Sequence, residues 1–142
     1  MKQKIIITLI VLPLSLIGGI LESETSTRKV ADAFMKKVTS ESYKEAFEYL
    51  TELWPLPKEE LMNLAYQTDS QLKMLGNRFG SVLGFEYIGQ DKIGDSFIRY
   101  LYIQKFEKHA TRWMIVFYKP KQEWIVNNVM WDDETYEIFD MN

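Results

Sequence analysis

The chain has one histidine, His109, and no cysteine. His109 sits between Lys108 and Ala110 in a predicted turn. A solvated imidazole there lacks the pocket and the orienting partner that a general base needs. Without cysteine there are no disulfides, thiolate metal sites or thiol nucleophiles, and no cysteine on which to build a lipoprotein anchor. Carboxylates crowd the C-terminal end as Asp132, Asp133, Glu134, Glu137 and Asp140. Their spacing lacks the alternating ligands and turn glycine of a calcium loop. Asp132 or Asp133 reads instead as the cap of a short last helix, in which Tyr136 and Phe139 pack at i, i+3. Asp69 falls off the apolar stripe of its helix and reads as solvated. No glycine-rich phosphate loop, serine elbow or histidine-rich spacing is present, so no cofactor and no metal is expected.

The polar groups that remain of interest lie between Ser96 and Trp131, in SFIRYLYIQKFEKHATRWMIVFYKPKQEWIVNNVMW. This stretch reads as three antiparallel strands rich in aromatic and β-branched residues. Strand residues alternate sides, and directly paired residues share one. A two-residue loop in Lys119-Pro120-Lys121-Gln122 pairs Phe117 with Trp124, Ile115 with Val126, and Trp113 with Asn128. An even-length loop around Lys108-His109 adds Ile98, Tyr100, Tyr102, Gln104 and Phe106 to the same side. This more aromatic side is expected to face the helices.

Tyr100, Tyr102, Gln104, Trp113 and Asn128 are then the candidate ligand-binding residues, polar tips in an apolar hollow suited to a small apolar molecule. Tyr66, from the third helix, is a possible neighbour. The competing reading is that these groups bond to each other, to backbone or to trapped water. The opposite side carries Leu101, Ile103, Met114, Val116, Ile125 and Val129. A sheet face open to water normally alternates apolar with polar residues. A continuous apolar patch predicts an interface, with a second copy or another protein covering it. A one-residue change in either loop would swap the assignment for that strand.

Three helices must position this sheet. Val30, Phe34 and Val38, flanked by Ala31 and Met35, place the first over about 26–39. Ser42-x-x-Glu45 reads as a capping box opening a second, with Tyr43, Ala46, Phe47, Leu50, Leu53 and Trp54 inward. Trp54-Pro55-Leu56-Pro57 ends it, and Pro57 suits the first turn of a third. Leu61, Ala65, Thr68, Leu72, Leu75 and Phe79 then make one long stripe. Val82–Ile88 starts the sheet, and residues 89–95 read as a loop. The fold class is therefore α+β, N-terminal helices on a curved antiparallel sheet of about four strands.

The 142 residues suit one domain with an ordinary globular composition, 26% charged and 46% apolar. Net charge is −3, and no basic cluster exceeds a pair, which excludes a nucleic-acid footprint. Residues 1–23 have the layout of a signal peptide, with Lys2 and Lys4 before an apolar run from Ile5 to Leu21. That run is slightly short for a spanning helix and is weakened by Pro13 and Gly18-Gly19. Gly18, Gly19 and Ser23 are the small residues at which a cut could fall. The expectation is a removed leader and a single exported domain over 24–142, periplasmic or secreted. A retained anchor over 5–21 is the alternative and the only membrane contact foreseen.

The order of three helices then an antiparallel meander, with SESYKEAFEYL in helix two and RWMIVFYKPKQEWIVNNVMWDD late, resembles the nuclear transport factor 2-like (cystatin-like cone) superfamily. Over residues 27–140 it is similar to small exported bacterial members in which a Trp-rich hairpin with a Lys-Pro turn precedes Asp-Asp. The resemblance implies a curved sheet wrapped on a long helix, a cone open at one end, and dimerisation through the sheet. Enzymes of that superfamily commonly hold a His or Asp inside the cone, and the expected inner strand face here has neither. Fold does not deliver function. The expectation is a non-enzymatic binding domain for a protein partner or a small apolar ligand. The alternatives are a small-molecule enzyme of isomerase, dehydratase or hydrolase type using polar residues in the cone, and a tethered subunit of an envelope complex.

Overall fold

The computed structural model describes residues 21–40 and 42–141. Residues 1–20 of the leader expected over 1–23, including Gly18 and Gly19, lie outside the described residues. Among the described residues no helix is long and apolar enough to cross a membrane.

Helix α1 spans Glu24–Thr39, and Ser23 caps it by accepting the Ser26 N–H at 3.1 Å. Val30, Ala31, Phe34, Met35 and Val38 form its buried stripe, as the spacing predicts. Helix α2 spans Tyr43–Leu50 and tightens into a 3-10 turn, Thr51–Leu53, before the prolines. The expected capping box does not form. Ser42 sits at φ −96°, ψ 63°, away from the extended backbone that aims an N-cap hydroxyl, and its side chain makes no cap bond. Its carbonyl still opens the helix by accepting the Ala46 N–H at 2.9 Å. Helix α3, Lys58–Phe79, starts just after Pro57 and buries Leu61, Ala65, Thr68, Leu72 and Phe79.

Four antiparallel strands follow as a meander, β1 Val82–Ile93, β2 Phe97–Phe106, β3 Ala110–Tyr118 and β4 Ile125–Asp132, paired in the order β1-β2-β3-β4. The α+β architecture is as expected. β1, however, runs to Ile93 where a loop was expected from 89. Two bulges, which leave Leu83 and Ile88 as extra residues, restore its register so that pairing continues from Gly89–Leu101 to Ile93–Phe97. The turn is confined to residues around Gly94, whose φ of 54° suits glycine. A last 3-10 turn, Thr135–Met141, packs against β3.

The β2–β3 register pairs Tyr100 with Ile115, Tyr102 with Trp113, and Gln104 with Thr111, placing the expected row towards the helices. The β3–β4 hairpin departs from the expected pairing throughout: Phe117 meets Val126 and not Trp124, a two-residue shift that keeps the same sides, and one extra residue follows it. Phe117 pairs Val126 but Val116 pairs Asn128, so Asn127 is an extra residue in β4. Beyond it the sides exchange: Ile115 meets Val129 and Trp113 meets Trp131. Asn128 is therefore exposed on the outer face, and Val129, expected there, lies inside at 3% exposure. A bulge inverts every side chain downstream of it on the bulged strand.

Candidate functional site

The polar groups facing the helices come from two elements of matching period. Alternate residues of β2 stand about 6.6 Å apart, and residues one turn apart on a helix about 6 Å, so a strand can meet a helix rung by rung. α1 supplies Glu24, Thr27, Arg28 and Asp32, and β2 supplies Tyr100, Tyr102 and Gln104. Tyr100 Oη lies 2.8 Å from Thr27 Oγ1 and donates to the Glu24 carbonyl at 3.1 Å. Tyr102 Oη donates to Asp32 Oδ1 at 2.7 Å. Gln104 Nε2 donates to Tyr43 Oη at 3.3 Å and reaches the Val38 carbonyl at 3.5 Å. Gln104 Oε1 accepts from Thr111 Oγ1, which in turn accepts the Trp113 indole N–H at 3.0 Å.

Arg28 completes the row. Its Nε donates to the same Asp32 Oδ1 at 2.9 Å, and its Cζ lies 3.4 Å from the centroid of the Tyr87 ring, a close cation–π contact. Burial, and then the Asp32 carboxylate that it faces, push the Tyr102 hydroxyl well above the usual phenol range. Burial likewise raises Tyr100. Both phenols are therefore protonated at neutral pH.

Trp113 occupies the middle of the space between helices and sheet. It is fully buried, edge-on to Phe34 at 5.8 Å and stacked with Tyr43 at 6.5 Å and Trp131 at 6.0 Å. Trp131 is fixed in turn by its indole N–H, which donates to Thr68 on α3 at 3.1 Å. Four of the five expected ligand-binding residues thus lie together on the helix side, each hydrogen-bonded within the domain. Asn128 lies elsewhere, for the reason given above.

Clefts open at the surface. One between α2 and α3, of about 520 Å³, is lined by Tyr43, Met62, Ala65, Tyr66, Asp69 and Lys73, and Tyr66 is 82% exposed. A second, of about 420 Å³, continues from it past Leu72, Gly76 and Gly80 to Glu107. Among the described residues no cluster of three His, Asp or Glu side chains could hold a metal.

The C-terminal carboxylates have structural partners. Arg112, nearly buried, donates to both oxygens of Asp132 at 3.0 and 2.6 Å and faces Glu137 at 3.5 Å. The Asp132 bonds raise its guanidinium further. Asp132 also accepts the Glu134 N–H at 3.0 Å, a turn bond just before the last 3-10 segment and not the helix cap expected of it. His109 is partly exposed but has neighbours. Its ring lies 4.6 Å from that of Phe79, with Nε2 3.2 Å from the Asp133 carbonyl oxygen. Tyr136 and Phe139 do not bury their rings, and the last segment is a 3-10 turn and not the expected α-helix.

On the outer face Leu101 and Met114 pair and are nearly buried, and Ile103, Val116 and Ile125 are half-buried. Arg99 and Arg112 stand diagonal to the Leu101–Met114 pair, where long alkyl stems shield apolar neighbours. Ile93 and Met130 remain open at 75% and 45%. Asp32 and Arg28 escaped the sequence reading. Their one signal was an i, i+4 pair of opposite charge flanking the apolar stripe of α1.

Comparison of the chain with family models, curated proteins and solved structures returns no match.

Proposed function

We propose that this is an exported, non-enzymatic interaction domain, and that the outer face of the sheet receives a second copy of the chain. The observation that carries this reading is the combination of open apolar side chains with balanced charge on that face. Ile93, Phe97 and Val116 line a groove of about 270 Å³ there, and Met130 stands open across the sheet. Every cation on the face has an anion beside it: Arg99 with Asp91, Lys105 with Glu86, Arg112 with Asp132. Two chains of net charge −3 repel each other at long range, but a self-neutralised face lets them meet without uncompensated like charge. The order of helices and meander also supports membership of the nuclear transport factor 2-like superfamily, in which such sheets dimerise.

The inner face supports the non-enzymatic half of the reading. Its tyrosines are donors held by α1, and Trp113 at its centre weighs against an interior apolar ligand. Light scattering at micromolar concentration tests the whole. The expected mass is that of a dimer, reduced to a monomer by Val116→Lys. A monomeric wild type, or a dimer indifferent to Val116→Lys, overturns the assignment.

One observation favours a second reading, a small-molecule enzyme: the Asp32 carboxylate is 43% exposed beside Tyr102. The effect of Asp32 on stability, predicted below, separates the two.

A further inference from the structure

We infer that the surface cleft along α3, from Tyr66 to Glu107, binds an extended, uncharged oligosaccharide. The cleft is separate from the outer sheet face, so the site stands whether or not that face receives a second copy.

Residues three and four apart share one face of a helix. Tyr66, Asp69, Lys73 and Asn77 therefore form a single row on α3, beside its buried stripe, and the row runs about 16 Å. It lines the two clefts of about 520 and 420 Å³, which have Tyr43 and Lys73 in common. Each cleft has the size of a ligand site. Ala65, Leu72 and Phe106 make an apolar floor. Gly76 keeps that floor open, since a Cβ there would meet nothing within 4 Å. Above it stand the Asn63 and Asn77 amides and the Ser42 hydroxyl, which bond to nothing among the described residues. Glu107 is held by the Ser81 N–H at 2.9 Å, and Lys73 by Asp69 at 2.7 Å. Tyr66 stands at the rim, 82% exposed.

The chemistry of the walls selects the ligand. Lys44 and Lys73 nearly balance Glu45, Asp69 and Glu107, so neither a phosphate nor a polycation gains much by entering. Most of the lining is helical, with backbone N–H and C=O groups spent inside the helices, so an extended peptide finds no strand edge to pair with. A helical peptide would need an apolar groove, and the row on α3 is mostly polar. What the walls offer is amides, a hydroxyl and fixed carboxylates, which together donate to and accept from hydroxyl groups. They also offer one open aromatic ring. A sugar matches both, with an apolar C–H side for Tyr66 and a rim of hydroxyls for the row. A straight groove along one helix takes a ribbon-like chain of sugars and not a coiled one.

The test is titration of the full chain with cellotetraose, chitotetraose, maltotetraose and tetra-alanine, followed by calorimetry and by amide NMR shifts. Cellotetraose or chitotetraose should bind at millimolar concentration or below, with shifts along α3 from Tyr66 to Asn77. Maltotetraose, which coils, should bind several-fold more weakly. Tyr66→Ala should weaken binding about tenfold by removing the aromatic face. Gly76→Leu should abolish it by filling the floor, with a urea midpoint equal to wild type or higher, since leucine favours the helix. No saturable shift with either extended sugar, equal binding of maltotetraose, or binding indifferent to either variant overturns the inference. Saturation by tetra-alanine in place of the sugars overturns it in favour of a peptide groove.

Discussion

Tyr102 on β2 gives its hydroxyl hydrogen to Asp32 Oδ1 on α1 at 2.7 Å, joining two elements separated by 70 residues of chain. The same oxygen accepts from Arg28, whose guanidinium lies against Tyr87 of β1. One carboxylate oxygen therefore docks the first helix on two strands. The bond rests on a fully buried phenol but a half-open carboxylate, so its strength should fall at the lower end for a charged acceptor.

Tyr102→Phe should cost about 1–2 kcal/mol and Asp32→Ala about 1–3 kcal/mol, since the latter also orphans a buried hydroxyl. In a urea double-mutant cycle the pair should couple by about 1 kcal/mol. A catalytic carboxylate kept for chemistry is commonly a stability liability, so an Asp32→Ala protein more stable than wild type would favour the enzyme reading.

Alkaline pH should unfold the protein through the inner tyrosines. Both Tyr100 and Tyr102 are raised above the unfolded phenol value, by burial first. Their contribution is complete below about pH 10, where phenols are protonated in both states. Above it the unfolded chain releases protons that the native state keeps, so stability falls with rising pH. The slope is about 1.4 kcal/mol per pH unit for each retained proton. Urea midpoints from about pH 9 to 11 should drop less steeply for Tyr102→Phe than for wild type. Equal slopes would refute the assignment.

Arg112 should respond asymmetrically. It is nearly buried against Asp132, so Asp132→Ala leaves a cation without its main partner and should cost about 2–4 kcal/mol. Arg112→Met combined with Asp132→Leu removes both charges and should cost less than that single change. Thermal melts of the two proteins compare them directly.

Gly80 ends α3 at φ 83°, and a methyl group there would meet the Glu107 side chain, with its carboxylate oxygen only 2.5 Å away. That carboxylate accepts the Ser81 N–H at 2.9 Å. Gly80→Ala should therefore lose about 1–2 kcal/mol, from the left-handed backbone together with the displaced bond. Gly76→Ala should be neutral or stabilising, because a methyl there meets nothing and alanine favours the helix.

What the sequence determined by itself was local. The stripe from Val30 to Val38, the stripe from Leu61 to Phe79, and the alternation of Ile98, Tyr100, Tyr102, Gln104 and Phe106 follow from backbone periods of 3.6 and 2. Neighbouring residues alone reveal those periods. They sufficed for the α+β class and for the inward row of β2, because an even loop preserves parity.

Tertiary structure decided the rest. A bulge at Asn127 costs little locally, and its place is chosen by what it turns inward. It brings Val129 into the core and Trp131 between Trp113 and Thr68, and sends Asn128 outside. No periodicity announces a single extra residue. Nor does it announce that Asp32 will meet Tyr102, or that Trp113 will fill the centre, since those contacts are made between elements and not within them. The stretch from Leu21 to Ser23 belongs to the same class. Read along the chain it is the tail of an apolar leader, and only the partner at Trp124 makes it part of the fold.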